Sequence, residues 1–460
     1  MKQKYVLGLL ILSGLLSACA SSPDNTYSQS ASAQTGKDIH WNAQSEHAKA
    51  SATLTDLVSL PGLDGFIQEA LSNNTSVQQT LITLRRAQVA IESAKAEGNL
   101  NASASFQGVR TSDSASQNSS NTNTYTAGLD ISWELDVWQK ISDGVDAASF
   151  NAASSRATLQ ATQDTLVANL IRSYLDIITQ KQLLAVEHRR LEVFENSESV
   201  ILKRYRTGLG ALDDLDDART NSASTKATIA EYEYTLATNL RAFALLLGRQ
   251  DLTLADFPTI DAFPQVSAPL ASLPAQDLAR RPDLQSAYYA LKSTESSVNV
   301  AYKALLPSIN LSAALSDSAT TPSQALFTNP VWTLLGQMTA PLFQGGALRA
   351  QIKDAELASL NAWWQYRETL LQAVKETQDA LDNERSLTLQ RRYTEQALDN
   401  ATRSADTAKG QYRQGLIDIL DLLSVYNTRF NLQAQQLQLH ASQLQNRIDL
   451  GLALGLGVSQ

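Results

Sequence analysis

From Tyr125 to Glu134 apolar and polar positions alternate without a break. Tyr125, Ala127, Leu129, Ile131 and Trp133 fall on one side, and Thr126, Gly128, Asp130, Ser132 and Glu134 on the other. A period of two is a β-strand with one apolar and one polar face. Trp332, Leu334, Gly336, Met338 and Ala340 repeat the pattern against Thr333, Leu335, Gln337 and Thr339, with Leu335 the exception on the polar side. Partner strands are expected at 102–110 and 308–316, joined by polar, exposed loops at 111–123 and 317–330. Strands of about ten residues with aromatic ends fit a tilted membrane span. A sheet half-buried on a soluble core has the same alternation.

Around these strands the chain reads as helix. Residues 142–207 contain no Pro and only Gly144 as a breaker, and are dense in Ala, Leu, Gln, Glu and Arg. These are good helix formers, and the segment predicts a rod of roughly 100 Å. Its counterpart is 346–411. Gly208 and Gly415 stand where such helices would end, as favoured by the left-handed conformation just past a C-cap. Second helices follow at 212–247 and 417–454, and half-length leading helices precede at 64–97 and 276–304. A leading and a trailing helix stacked end to end would match one long helix. The apolar stripes are mostly Ala and Leu diluted by Gln, Asn, Ser and Thr, which predicts thin helix layers with a wet face and not a thick core. A coiled-coil stalk would leave the strands unexplained.

The pattern occurs twice. Tyr205-Arg206-Thr207-Gly208-Leu209 matches Tyr412-Arg413-Gln414-Gly415-Leu416 at an offset of 207, and Asp214-Leu215 falls on Asp421-Leu422 and Leu247-Gly248 on Leu454-Gly455 without a gap. Upstream, Val77-Gln78 falls on Leu284-Gln285. The expected organisation is a first repeat at 64–250, a second at 276–457, and a linker at 251–275 broken by Pro258, Pro264, Pro269 and Pro274.

Composition narrows the chemistry. The formal net charge is −9 with no basic block, which argues against a nucleic-acid partner. One Cys excludes an intrachain disulfide and a Cys-based zinc site, and the four His show no ligand spacing. No run of 18 apolar residues occurs, so no membrane-spanning helix is expected. There is no phosphate loop, nucleophile elbow or cofactor motif, so neither enzyme nor cofactor is expected. The N-terminus carries Lys2 and Lys4, a short apolar core from Val6 to Leu16, and Leu16-Ser17-Ala18-Cys19. This layout resembles a bacterial lipoprotein signal (1–18), with Cys19 as the acylated residue; the alternative is an ordinary signal peptide cleaved nearby. Ala20 is not Asp, and the lipoprotein resemblance then implies the outer membrane of a Gram-negative bacterium. Residues 19–63 would be an N-terminal tether, extended over 20–55 where Ser, Ala, Gln and Asn dominate.

Four strands cannot close a barrel, and an open edge is not tolerated in hydrocarbon. If the strands span a membrane the chain must self-associate, and two, three or four copies give 8, 12 or 16 strands.

The chain resembles the TolC-like outer-membrane efflux ducts, especially their lipidated OprM/NodT-like branch. The resemblance rests on Trp133-Glu134-Leu135-Asp136-Val137-Trp138, Arg281-Pro282-Asp283-Leu284, Leu306-Pro307-Ser308-Ile309, Pro341-Leu342-Phe343-Gln344-Gly345-Gly346 and the two Tyr-Arg-x-Gly-Leu turns. Gln139 stands where a Gly often follows the Trp motif, and Tyr288 where Glu is frequent. The resemblance implies a mainly α chain with a membrane β-barrel: a homotrimer whose 12-stranded barrel, four strands per chain, continues into a long periplasmic α-helical barrel. It also implies a passive exit duct of a tripartite system, served by a periplasmic membrane-fusion adaptor and an inner-membrane resistance-nodulation-division pump. A duct for type I protein secretion and a non-channel structural envelope lipoprotein are the alternatives.

Under this resemblance Tyr205, Arg206, Gly208, Tyr412, Arg413 and Gly415 form the helix tips that meet the adaptor, although the tyrosines and glycines could simply pack and cap the turns. Acidic residues crowd after both turns, at Asp213, Asp214, Asp216 and Asp217 and at Asp418 and Asp421. Asp421 matches the first gate Asp of the family, and Ser424 occupies the second gate position. Asp418, Asp214 and Asp217 are further pore candidates; the competing reading is that Asp in a first helical turn stabilises the macrodipole. The lipid-facing row would be Tyr125, Leu129, Ile131, Trp133, Trp332, Leu334 and Met338.

Overall fold

A computed structural model describes residues 27–35, 53–113, 120–258, 263–264 and 277–457. Cys19, the signal segment, most of the tether and most of the Pro-rich linker lie outside the described residues. In chain order the elements are helix α1 (Tyr27–Thr35), α2 (Leu63–Asn73), α3 (Thr75–Ala96), strands β1 (Asn101–Asp113) and β2 (Ser120–Glu134), helices α4 (Lys140–Arg206), α5 (Leu212–Leu247) and α6 (Pro282–Lys303), strands β3 (Ser308–Ala319) and β4 (Val331–Thr339), and helices α7 (Ala347–Arg413) and α8 (Ile419–Ala453). The two long helices have 67 residues each.

The chain forms two compact units. One comprises Met1–Gln34, Ile82–Ala157 and Gln285–Glu368, and the other Thr35–Leu81, Thr158–Leu284 and Thr369–Gln460. Among the described residues the first unit holds one sheet, antiparallel in the order β1-β2-β3-β4. Asp136 starts α4 by accepting from the backbone N–H of Ile141 at 2.9 Å and of Ser142 at 2.8 Å. Just before it, Gln139 takes φ 59°, a left-handed conformation that costs an L side chain energy; this is a physical reason for Gly to suit that position. The expected extended tether is partly a helix: in α1, Tyr27 stacks on Trp363 at 6.0 Å, the Tyr366 hydroxyl donates to Ala31 O at 3.1 Å, and Ser28 N donates to Glu295 Oε1 at 2.9 Å. Ring stacking and two backbone contacts give order to a segment whose composition shows no periodicity.

The second unit has a thicker core than the diluted stripes suggest. Val167, Leu170, Ile171, Tyr174 and Leu175 of α4 are fully buried with Leu54, Val58, Phe243, Leu247, Leu444 and Ile448. Phe66, Tyr174, Phe243 and Phe257 pack with ring centroids between 5.0 and 6.1 Å apart. The Tyr174 hydroxyl donates to Pro61 O at 2.8 Å, and burial pushes its pKa up to about 12.

Some expected boundaries shift. The leading helix 64–97 is two helices, because Asn74 takes extended ψ 126° and ends α2. The first hairpin's strands run further than expected, to Asp113 and from Ser120, so much of the expected loop at 111–123 is ladder. Its Ser, Asn and Thr residues read as a loop because both faces are polar there.

Candidate functional site

Three places concentrate features that packing alone does not require: the sheet, the helix tips and a buried arginine. The ladder register merges four separate alternations into two faces. Ala104, Leu129, Leu315 and Trp332 are mutual partners across the sheet; so are Ala102, Ile131, Ala313 and Leu334, then Trp133, Leu311 and Gly336. Directly opposed residues share a face, so these rows, with Ile309 and Met338, make one apolar surface. The other face carries Ser103, Asp130, Ala314 and Thr333, then Asn101, Ser132, Ser312 and Leu335, then Glu134, Asn310 and Gln337. Trp332, Leu334 and Met338 are 77%, 72% and 66% exposed, and Leu129, Ile131 and Trp133 are exposed as well. Tyr125 is half-buried by stacking on Phe106, ring centroids 6.4 Å apart. Among the described residues strands β1 and β4 each have one unpaired edge. Trp133 Nε1 donates to Gly98 O at 2.9 Å and Trp138 Nε1 to Pro307 O at 2.7 Å, fixing the helix-side end of the sheet. Among the described residues no helix is long and apolar enough to cross a membrane.

The two tips share one backbone. Gly208 and Gly415 both take φ 74°. Leu209 N donates to Arg204 O at 2.8 Å and Leu416 N to Gln411 O at 2.9 Å, while Gly208 N and Gly415 N reach Tyr205 O and Tyr412 O at 3.0 Å. This is the Schellman closure of a helix C-terminus. Beneath the turns an apolar knot gathers Phe194 and Ile201 of α4, Leu215 and Ala218 of α5, Ala408 of α7, and Ile419, Leu422 and Leu423 of α8, so the two sequence-distant turns lie in one place. Tyr412 packs on this knot, whereas Tyr205 is exposed, as are Arg206 and Arg413. The acidic residues divide by role. Asp418 caps α8, its Oδ1 accepting from Asp421 N at 2.8 Å. Asp214 reaches back to Ala211 N at 3.4 Å, and Asp216 lies 3.9 Å from Arg219. Asp421 and Asp217 are exposed.

The third place was not singled out from the residues, though its motif was visible. Arg281, 7% exposed, donates to Asp283 Oδ2 at 2.7 Å, Glu376 Oε2 at 2.8 Å and Ala453 O at 3.1 Å. It ties the start of α6 to the middle of α7 and the end of α8. It borders a cavity of about 630 Å³ lined also by Asp164, Arg172, Asp379, Asn446 and Asp449. Arg172 Nε donates to Asp449 Oδ1 at 2.8 Å, and Lys375 pairs with Asp379 at 2.5 Å, so these carboxylates are paired although acids outnumber bases in the lining. A further polar layer joins α7 to α8, where Glu384 accepts from Arg447 at 2.9 Å and from Gln443 at 2.9 Å. Above it, burial and then the charge of Arg391 hold the His440 pKa down to about 4. Among the described residues no three His, Cys, Asp or Glu side chains are arranged to hold a metal ion.

The family model of the outer membrane efflux protein matches twice, at residues 66–249 and 273–456. The chain belongs to the outer membrane efflux protein family. Among its relatives are a probable outer membrane lipoprotein, SilC, of Salmonella typhimurium, 29% identical over 86% of each chain, and the pyoverdine export outer membrane protein OpmQ of Pseudomonas aeruginosa, 29% identical over 86% of this chain and 85% of the relative. The fold is shared with solved structures of the Campylobacter jejuni CmeC outer membrane channel, at TM-score 0.83 and 20% identity over 93% of this chain and 92% of that one, and of CusC, at TM-score 0.79 and 23% identity over 92% and 99%. The sheet and tips of this efflux protein are where the sequence put them. The Arg281 motif carries the family resemblance, but its role as a buried tie is not legible there, because a lone Arg before Pro has no periodic signal.

Proposed function

We propose that this efflux protein is the outer-membrane exit duct of a tripartite pump, passively conducting small toxic compounds supplied by an inner-membrane resistance-nodulation-division pump through a periplasmic adaptor. The observation that carries this is the sheet: four strands register into one apolar and one polar face while two edges stay open. In lipid an open edge must be paired. Three copies would close a 12-stranded barrel with its apolar face to lipid and its Asp, Ser, Thr, Asn and Gln face to water. Tyr125, Leu129, Ile131, Trp133, Trp332, Leu334 and Met338 are then the lipid-facing row.

The finer assignments follow from the same frame. Cys19 carries the acyl anchor; the name of the lipoprotein SilC supports this. The exposed Tyr205, Arg206 and Arg413 meet the adaptor, and Gly208 and Gly415 shape the turns that present them. Asp421, exposed and engaged through its backbone rather than its carboxylate, is free to ring a pore, where like charges repeated by symmetry bind cations. Asp217 has the same freedom, whereas Asp418 and Asp214 serve their helix starts. OpmQ is named for pyoverdine export and CusC for cation efflux at 29% and 28% identity, so relatedness at this level leaves the cargo open.

The test is conductance in planar bilayers of the purified acylated protein, with its oligomeric mass. A heat-resistant trimer with a discrete conductance is expected, blocked by calcium in the wild type and less so in Asp421→Ala. A monomer with no conductance would leave the structural-lipoprotein alternative standing, and unchanged calcium block would remove Asp421 from the pore.

A further inference from the structure

The loop joining β3 to β4, residues 320–330, differs from the merely polar turn expected there. It lies at the end of the sheet away from the helices, since α6 leads into β3 and β4 leads out to α7 at the other end. Its base is stapled. Asn329 N donates to Asp317 Oδ2 at 2.9 Å, with Asp317 buried, and Ala325 N donates to Thr321 O at 3.3 Å. Thr321 Oγ1 bonds Gln324 Oε1 at 3.0 Å. Ala325 is fully buried, yet the next two side chains are held out: Leu326 is 62% exposed and Phe327 40%. Phe327 does so at φ 57°, a left-handed conformation that a bulky L-residue adopts only under constraint.

A folded loop that turns its apolar pair outward has a use for it. No Asp, Glu, Lys, Arg or His occurs from Ser318 to Leu348, so the loop itself brings no charge to the patch. Past Thr328, Asn329 and Pro330 come Val331 and Trp332, 63% and 77% exposed, the first residues of β4; Val331, opposite Ser316, is on the polar face. Trp332, opposite Leu315, belongs to the apolar face, so the exposed pair precedes the end of that face by only a few residues along the chain. An uncharged loop that leads directly into the apolar face favours acyl chains over water or a polar partner.

We propose that Leu326 and Phe327 form an apolar hook that sets the β3–β4 loop into the acyl region of the outer leaflet beside Trp332. The inference rests on the sheet spanning the membrane. It assigns to one extracellular loop a lipid contact that fixes the depth of the second hairpin, whose β4 is the shortest of the four strands at 9 residues.

Nitroxide labels at Leu326→Cys, Leu334→Cys and Thr333→Cys, in full-length protein reconstituted with lipopolysaccharide-containing liposomes, test it by spin-label power saturation. Wild-type protein carried through the same labelling sets the background from Cys19. The expected result is a several-fold higher ratio of oxygen to water-soluble nickel-chelate collisions at 326 and 334 than at 333. A water-like ratio at 326 with a lipid-like ratio at 334 overturns the hook and leaves the membrane sheet intact. A water-like ratio at both overturns the sheet's orientation and the hook with it. Should Leu326→Cys fail to assemble, Phe327→Cys reports on the same patch with the same outcomes.

Discussion

Asn74 and Arg281 occupy the same position in the two repeats, 207 residues apart, and do the same work with different chemistry. Each is buried at a break in its leading helix, at 8% and 7% exposure. Asn74 Nδ2 donates to Leu246 O at 3.0 Å, and Arg281 Nη1 donates to Ala453 O at 3.1 Å; Leu246 and Ala453 are again 207 apart. Both bonds take up a carbonyl left over at a helix C-terminus, and both helices then close on a left-handed glycine, Gly248 at φ 76° and Gly455 at φ 74°. The first repeat uses a neutral amide whose Oδ1 also accepts from Ser76 N at 3.0 Å and Val77 N at 3.3 Å. The second uses a cation that recruits Asp283 and Glu376. Duplication preserved the backbone joint while the side chain was free to change. The charged version reaches a third helix, which the neutral one does not.

The largest effect should come from breaking the charged joint. Arg281→Ala strands two carboxylates and one carbonyl. Removing one partner of a buried pair costs about 3–5 kcal/mol. Asp283 and Glu376 keep 40% of their side-chain exposure, so solvent should reduce the loss to about 2–3 kcal/mol. Asn74→Ala forfeits a cap and a carbonyl bond and should cost about 1–2 kcal/mol. Denaturant unfolding of both variants in detergent checks the ranking, and equal losses would mean that the ion pairs add nothing to the shared joint. Arg281→Asn sharpens the comparison, because a neutral joint of the first repeat's kind predicts a loss between the two.

These joints also mark the limit of what the residues disclose. The sheet was legible because Tyr125 to Glu134 obeys a period of two without a break, and only the antiparallel register was needed to merge the strands. Helix ends at Gly208 and Gly415 were legible because a positive φ has few tenants. Asn74 was not, since an Asn inside a run of good helix formers gives no warning that its side chain will cap a new helix. The buried core around Tyr174 was hidden for a different reason. Averaged over 67 residues, α4 is weakly amphipathic, and the apolar density between Leu166 and Ile178 is diluted by polar stretches on either side. The diluted stripes predicted a wet face, yet the polar layer of Gln443, Asn446 and Arg447 is buried, with Glu384 half-buried beside it.

At the tips the two repeats keep identical turns, and here the expected difference is nil. Gly208 and Gly415 share φ 74°, and a Cβ at either would meet nothing within 4 Å. Only conformational strain should register, so Gly208→Ala and Gly415→Ala should each cost about 1 kcal/mol. Tip-selective protease sensitivity alongside global unfolding measures both. A loss at Gly415 well above that at Gly208 would show that the packing of Tyr412 on the apolar knot constrains the second turn beyond its backbone.

The smallest effect separates two aspartates that look alike in sequence. Asp418 is the N-cap of α8 with a 2.8 Å bond from Asp421 N, whereas Asp214 sits inside α5 and reaches back to Ala211 N at 3.4 Å. A capping carboxylate is worth about 1 kcal/mol when removed, and a charge beside the helix N-terminus a few tenths. Asp418→Ala should therefore lower stability by about 1 kcal/mol and Asp214→Ala by about 0.3 kcal/mol. Salt distinguishes the contributions as well as the sizes: the Asp214 effect is mainly Coulombic and should fade at high ionic strength, while the short Asp418 bond should persist. If both losses vanish together in salt, the acidic run after each turn acts through charge alone. The second repeat would then have no better-fixed helix start than the first, and Asp418 would rejoin Asp421 as a candidate for the pore.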